Sequence, residues 1–297
     1  MSPPIPHLSD YAAVVARLCQ RLAPEPAGRP PDQPLVSVIT VCRNAATTLP
    51  ECFASVRAQS YPWIEHLVID GGSSDGTMAM IERSTHLAGW ISEADEGISD
   101  AFNKGLALCR GTIIGILNAD DQYQPEAIAL AVVAFSSQPQ AGFVFGGCDF
   151  TLDGSVVLHR SGDPCYASCI TRQMPVINHP TVFVRRECYA SLGIFRRELR
   201  LAMDYDLLLR FYLAGAVGHC IPHTLARMAL GGASCRHLLL AHAEAIQVSM
   251  DHGRPRVLAF MTFSRTTFIP LLRLIATVIG LRRAWLMLLD RTRAART

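Results

Sequence analysis

Apolar residues along the first half of the chain come in short runs, each closed by a polar loop, and the runs alternate between strand and helix periods. Leu35–Val41 (LVSVITV) is a β-rich stretch of strand length, followed by Arg43-Asn44. Leu49, Phe53 and Val56 then recur at helical spacing within Leu49–Gln59. Ile64–Ile69 predicts a second strand, ending in Asp70-Gly71-Gly72-Ser73-Ser74-Asp75-Gly76-Thr77. The glycines permit a tight exit there, and Ser74 or Asp75 can cap a helix starting near Gly76. Trp90-Ile91 falls in a third short strand. A helix from about Ile98 to Arg110-Gly111 leads into the apolar strand Thr112–Leu117, which delivers Asn118, Asp120 and Asp121 to its C-terminal edge.

This alternation predicts an α/β fold with a mostly parallel sheet covered on both faces. Ligands in such sheets bind outside the carboxyl ends of the strands. Asn44, Asp70, Asp95 and the pair Asp120 and Asp121 all leave from such ends. One polar loop is an ordinary solvated turn, whereas four on one edge predict a ligand site. Paired carboxylates repel unless something positive sits between them. A divalent cation bearing a diphosphate would serve, since hard cations prefer carboxylate oxygen.

Past Asp121 the pattern turns mixed. Pro125–Phe135 predicts an amphipathic helix and Gly142–Cys148 a strand. Asp149-Phe150 with Asp153-Gly154 reads as a turn region, and Val156–His159 as a returning hairpin strand. Ile177–Arg185 joins a polar turn to a strand, and Arg186–Leu192 is a short helix. Ala202–Ala214 predicts a helix whose buried stripe is Tyr205, Leu208, Leu209 and Tyr212. Two short strands (Val217–Ile221, Thr224–Ala229), a loop at 231–234 and a helix His237–Asp251 follow. The N-terminus carries a helix, Leu8–Leu22, and a proline-rich stretch (PEPAGRPPDQP) that reads as a tether. The expected organisation is therefore 1–34 as helix and tether, 35–255 as the main domain with halves 35–121 and 122–255, and 256–297 as an amphipathic tail.

Composition narrows this reading. Half of the 297 residues are apolar and 18% charged, with a net charge of +2, which excludes disorder. With no basic stripe interleaved with aromatics, nucleic-acid binding is not expected. The ten cysteines are scattered singly without a CxxC pair, so a zinc site is not expected and a reducing cytosol fits. No basic-then-apolar leader is visible at the N-terminus. The tail from Val257 is apolar but broken by Arg265, Pro270 and Arg273, short of the roughly 20 residues of a spanning helix. Two alternatives stay open for 256–290. One is an in-plane helix on the cytoplasmic face of an anionic inner membrane; the other is a helical hairpin packed on the domain or on a second subunit, as in a homodimer. GxGxxG and GxxxxGK[ST] are both absent, which removes the dinucleotide fingerprint and the P-loop.

Taken in series, SVITVCRNAATTL (37–49), HLVIDGGSSDGT (66–77), WISEADEGISDAFNKG (90–105), GILNADD (115–121), NHPTVFVRR (178–186) and MDYDLLLR (203–210) resemble the GT-A-fold glycosyltransferases of family 2. The resemblance is to members associated with bacterial surface polysaccharides. It implies a nucleotide-sugar donor, commonly with uracil, and a glycan or lipid-linked acceptor. The loop of Val41, Arg43 and Asn44 would lie against the nucleotide, Asp70 would bind the base, and Asp95 would sit beside base or ribose. Asn103 and Lys104 would face the donor. The family's Asp-x-Asp signature stands here as Asn118-Ala119-Asp120, followed by Asp121. That implies a neutral ribose contact and Mn²⁺ or Mg²⁺ held by Asp120 with Asp121. Asp204 corresponds to the catalytic base, and His179 and Arg210 to acceptor-side or shape-holding residues. Single displacement would invert the anomeric centre. A non-catalytic sugar-nucleotide-binding or scaffold protein on the same fold is the alternative. A nucleotidyltransferase would want a glycine- and lysine-rich phosphate loop that Val41–Ala45 does not supply.

Overall fold

The computed structural model describes residues 5–18, 22–172, 177–230 and 237–263. Strands β1 (Val36–Cys42), β2 (Ile64–Asp70), β3 (Gly89–Ser92) and β4 (Ile113–Ile116) alternate with helices α2 (Leu49–Arg57), α3 (Thr77–Arg83) and α4 (Ile98–Leu108). All lie within two or three residues of their predicted bounds, because each apolar run ends at a strong turn former. Next come β5 (Gln122–Tyr123), α5 (Ala127–Ser137), the hairpin β6 (Ala141–Leu152) and β7 (Ser155–Arg160), β8 (Phe183–Arg185), α6 (Arg186–Leu192), α7 (Met203–Leu213) and β9 (Val217–Ala229). Two further helices, Leu238–Asp251 and Arg256–Phe263, end the described chain; α1 (Ala12–Leu18) begins it.

The strands form one sheet in the order β3-β2-β1-β4-β8-β6-β9-β5, with β7 paired to β6. Its first four strands are parallel. Around β8 the pairing turns antiparallel, and only β6 with β9 is parallel beyond it. The expected mostly parallel sheet is thus corrected to a mixed one. Hairpin and meander connections, unlike helical crossovers, reverse the chain.

Alternation along β1 divides the core. Ile39 and Val41 face α4 and α7, while Val36 and Val38 face α2 and α5. Gly105 lets α4 close on the sheet, since a Cβ there would lie 2.5 Å from the Ile39 methyl. Helix α5 is apolar on nearly every side rather than amphipathic: Ala127, Ile128, Ala131, Val132, Ala134 and Phe135 are all buried. The two short strands expected at 217–229 are one strand. Pro222 cannot donate a ladder bond, and the pairing steps past it, from Phe145 opposite Cys220 to Gly147 opposite Thr224. Asp149 and Phe150 belong to β6, so only Asp153-Gly154, both at positive φ, make the turn.

The N-terminal segment lies against the domain instead of hanging from it. Tyr11 is buried and donates to Asp100 (2.8 Å), Arg17 pairs with Glu93 (2.9 Å), and Pro34 accepts the Tyr61 hydroxyl (2.5 Å). The loop at 231–234 and the tail from 264 lie outside the described residues.

Behind the sheet edge, His66 on β2 is enclosed by Thr40 (2.9 Å), Phe53 and His86 (3.3 Å). Burial and the neighbouring ring push the His66 imidazole down to about 3 and burial pushes that of His86 to about 4. Both rings are therefore neutral when folded but protonate below about pH 6.5 when unfolded. Their contribution to stability is complete above that pH and is lost as pH falls toward 3–4. We expect His66→Gln to remove about one proton from the acid-side dependence of stability. Urea unfolding between pH 5 and 7 reads this slope, and an unchanged slope contradicts it.

Candidate active site at the strand ends

The loops after β1, β2 and β3 interlock through Asn44 and Asp70. Asn44 adopts a left-handed conformation (φ 53°), donates its N–H to the Ser73 hydroxyl (2.7 Å) and accepts the Ser74 N–H (2.8 Å). Asp70 is fully buried. Its carboxylate accepts from the N–H groups of Gly72 (3.2 Å) and Ser73 (3.0 Å) and from the hydroxyls of Ser73 and Ser92. With both oxygens engaged, Asp70 shapes the loop and presents no free acceptor to a base. Val41 is buried in the core beneath and offers no side chain to a ligand. At this edge lie the exposed Arg43 and Asn44 and the half-buried Asp95, beside the buried Gly71. A side chain at Gly71 would strike the Asp95 carboxylate and approach Arg43, so these three are immediate neighbours.

Asn103 and Lys104 are bonded within the protein. Asn103 is fully buried and clamps Phe195, accepting its N–H (2.9 Å) and donating to its carbonyl (2.8 Å). Lys104 has a nearly buried ammonium whose three donors meet the Ala94 carbonyl (3.3 Å), Glu93 (3.2 Å) and Asp100 (3.1 Å). An ammonium has three donors, so none remains for phosphate in this arrangement. Lys104 instead fixes the loop that carries Asp95.

The turn after β4 separates the two aspartates. Asp120 is exposed. Asp121 is turned inward, accepting the Ala229 N–H (3.2 Å) and the Asn118 amide (3.3 Å). Burial first, then the Asp120 charge, push the Asp121 carboxyl well above the usual range. Of the two aspartates, Asp120 is the one exposed at the strand edge. The Asn118 Oδ1 oxygen is buried without a hydrogen-bond partner. Among the described residues no group of three His, Cys, Asp or Glu side chains could hold a metal. An orphaned amide oxygen and one exposed carboxylate are hard donors, and they fit a cation that brings phosphate and water as its other ligands.

Asp204 lies in the first turn of α7, where the helix dipole favours negative charge. Its carboxylate accepts the Tyr205 N–H (2.8 Å). With His179 it lines a small cavity whose other walls are apolar apart from Tyr189, among them Ile116, Val184, Phe195 and Leu208. Burial raises the Asp204 carboxyl against the opposing pull of His179, and burial lowers the His179 imidazole. The ring stacks on Phe102 (5.2 Å), and its Nε2 is buried without a partner. The structure thus brings Asp204 and His179 to one place.

Arg210 is bonded inside the protein. It is buried, donating to the carbonyls of Leu192 (2.8 Å) and Ile194 (2.7 Å) and to Asp206 (2.9 Å). Asp206 also receives Arg196 (3.3 Å) and His252 (3.1 Å). This hub was legible only in part. The i, i+4 spacing of Asp206 and Arg210 is a helix ion-pair signal, but nothing local marks Arg196 or His252.

The family profile described as "Glycosyl transferase family 2" matches residues 37–223. The O-antigen biosynthesis protein RfbC of Myxococcus xanthus is 33% identical over 230 residues, 73% of this chain, which spans only 18% of that protein. An uncharacterised glycosyltransferase of Mycobacterium tuberculosis is 34% identical over 197 residues, 65% of this chain and 72% of its own length. Among solved structures, the mannosyltransferase PcManGT of Pyrobaculum calidifontis, in complex with GDP-Man and Mn²⁺, superposes with a TM-score of 0.57. That likeness covers 94% of this chain and 90% of PcManGT at 21% identity.

Proposed function

The chain belongs to glycosyl transferase family 2, and we propose that it transfers a sugar from a nucleotide-sugar donor, with UDP as the nucleotide, to a hydroxyl of a glycan or lipid-linked acceptor in surface-polysaccharide synthesis. The observation that carries this reading is Asp204, set at a helix N-terminus in a mainly apolar cavity it shares with His179, whose Nε2 has no partner.

Arg43, the Gly71 backbone and Asp95 form the cradle for the nucleotide, with Asn44 and Asp70 holding its loops in register. Asp120 and the Asn118 oxygen would hold Mn²⁺ or Mg²⁺, which when bound offsets charge on a diphosphate leaving group. Asp204 takes the proton from the acceptor hydroxyl as it attacks the anomeric carbon, for which one carboxylate within hydrogen-bond reach suffices. Attack opposite the leaving group inverts the centre. A carboxyl raised by burial is a stronger base once ionised. Among the described residues no helix is long and apolar enough to cross a membrane. Val257, Leu258 and Met261 are exposed on the helix Arg256–Phe263, which supports contact with a membrane surface where a lipid-linked acceptor would be met.

The test is a melting-temperature screen with UDP, GDP and dTDP and their sugars, with and without Mn²⁺, since a ligand that favours the native state raises its melting point. UDP with Mn²⁺ is expected to give the largest shift, and transfer onto a sugar acceptor to follow. Binding without any transfer would favour the non-catalytic alternative. We expect Asp120→Ala to lose the Mn²⁺-dependent part of both the UDP shift and the activity; unchanged metal dependence would remove Asp120 as a ligand.

A further inference from the structure

Glu244 sits in the helix Leu238–Asp251, beyond the residues matched by the family profile. Its carboxylate accepts the backbone N–H groups of Arg200 (3.1 Å), Leu201 (2.7 Å) and Ala202 (3.0 Å). These are the three residues that lead into α7, and the N-cap residue Ala202 has no side chain able to do this. Successive N–H groups at a helix N-terminus form an anion site. Here the anion is a carboxylate from another helix of the same chain.

The same segment is gripped elsewhere. Phe195 is clamped by Asn103, the Leu199 carbonyl accepts the Ser99 hydroxyl (2.6 Å), and Arg196 pairs with Asp251 (2.9 Å). Residues 195–202 are therefore stretched between α4, which anchors the Asp95 loop, and the helix Leu238–Asp251. Asp204 follows two residues later.

We propose that Glu244 is a positioning residue for Asp204, and that the helix Leu238–Asp251 is thereby part of the catalytic unit. This rests on the reading of Asp204 as the base. Glu244 fixes the entry of α7, so the first-turn carboxylate keeps its direction into the cavity. It also offsets the positive end of the helix dipole next to Asp204, which keeps that carboxylate more basic. Other charged groups around α7's first turn include His179, facing Asp204, Arg254, acting on Tyr205, and Asp206, which is bonded to Arg196, Arg210 and His252.

The experiment compares Glu244→Gln and Glu244→Asp in the full chain, with Asp204→Asn as reference, using a UDP-sugar the wild type accepts. In Glu244→Gln we expect kcat to fall about tenfold or more, as for a small misplacement of a reacting group. KM for the donor and the UDP-induced melting shift stay unchanged, and the acid limb of kcat moves to lower pH. Glu244→Asp recovers part of the rate. An unchanged kcat and acid limb in Glu244→Gln overturns the proposal. So does a parallel loss of melting temperature, UDP binding and kcat with the acid limb in place, which would assign Glu244 to the fold alone. If Asp204→Asn transfers normally, it is the base assignment that fails, whatever Glu244 does.

Discussion

Asp204→Asn is expected to bind UDP as the wild type does and to transfer sugar about 10²–10⁴-fold more slowly, the range a positioned general base supplies. The substitution keeps the shape and the Tyr205 N–H contact (2.8 Å) but removes the site that takes up the acceptor proton. The cavity offers no substitute carboxylate: its walls are otherwise apolar apart from His179 and Tyr189. Single-turnover transfer checks the chemistry, and the UDP-induced melting shift checks the donor side. Normal turnover in a natively folded variant would refute the assignment.

Asp206→Ala, two residues along the same helix, is expected to act on the fold. Asp206 has no exposed surface and carries two cationic partners, Arg196 and Arg210, together with a hydrogen bond to the His252 ring. Burial alone would raise its carboxyl, but the His252 bond and the charges of Arg210 and Arg196 outweigh that and hold it below the usual range. Removing one partner of such a cluster leaves buried charge uncompensated, and we expect a loss of about 3–5 kcal/mol. Urea unfolding at pH 7 measures it, and a loss below about 1 kcal/mol, the scale of a surface ion pair, would contradict it. Because the folded carboxyl is depressed, its contribution is complete above about pH 4 and disappears as pH falls further. Residues 204 and 206 differ in kind because successive positions on a helix point about 100° apart. One faces the cavity and the other the anchor to the helix Leu238–Asp251.

Much of this was legible in the chain. The β1-to-β4 series was readable because each buried strand is an apolar run ended by a loop of glycine, aspartate or asparagine, and both signals are local. The shift to a mixed sheet was not, since the hydrophobic period does not say with which neighbour a strand pairs. Asn103 and Lys104 show the same limit at the site. Their motif position implied contact with a donor, yet an amide that matches the Phe195 backbone and an ammonium enclosed by three oxygens are structural. Which group meets which is a matter of distance in space. Asp121 is another such case, indistinguishable from Asp120 in sequence and turned the opposite way by the N–H of Ala229, 108 residues later.

What the sequence determined by itself is the α/β series, the family to which it belongs and the placing of Asp204 in the first turn of a helix, because periodicity, turn chemistry and motif order are written in neighbouring residues. Only the tertiary structure decided which side chains remain free. Asp70, Lys104 and Arg210 are bonded inside the protein by partners both near and far along the chain, and Asp121 is turned inward to Ala229, whereas Asn118 and His179 are left with unpaired atoms. The reason is that a polar group leaving water must be satisfied by whatever folding brings beside it.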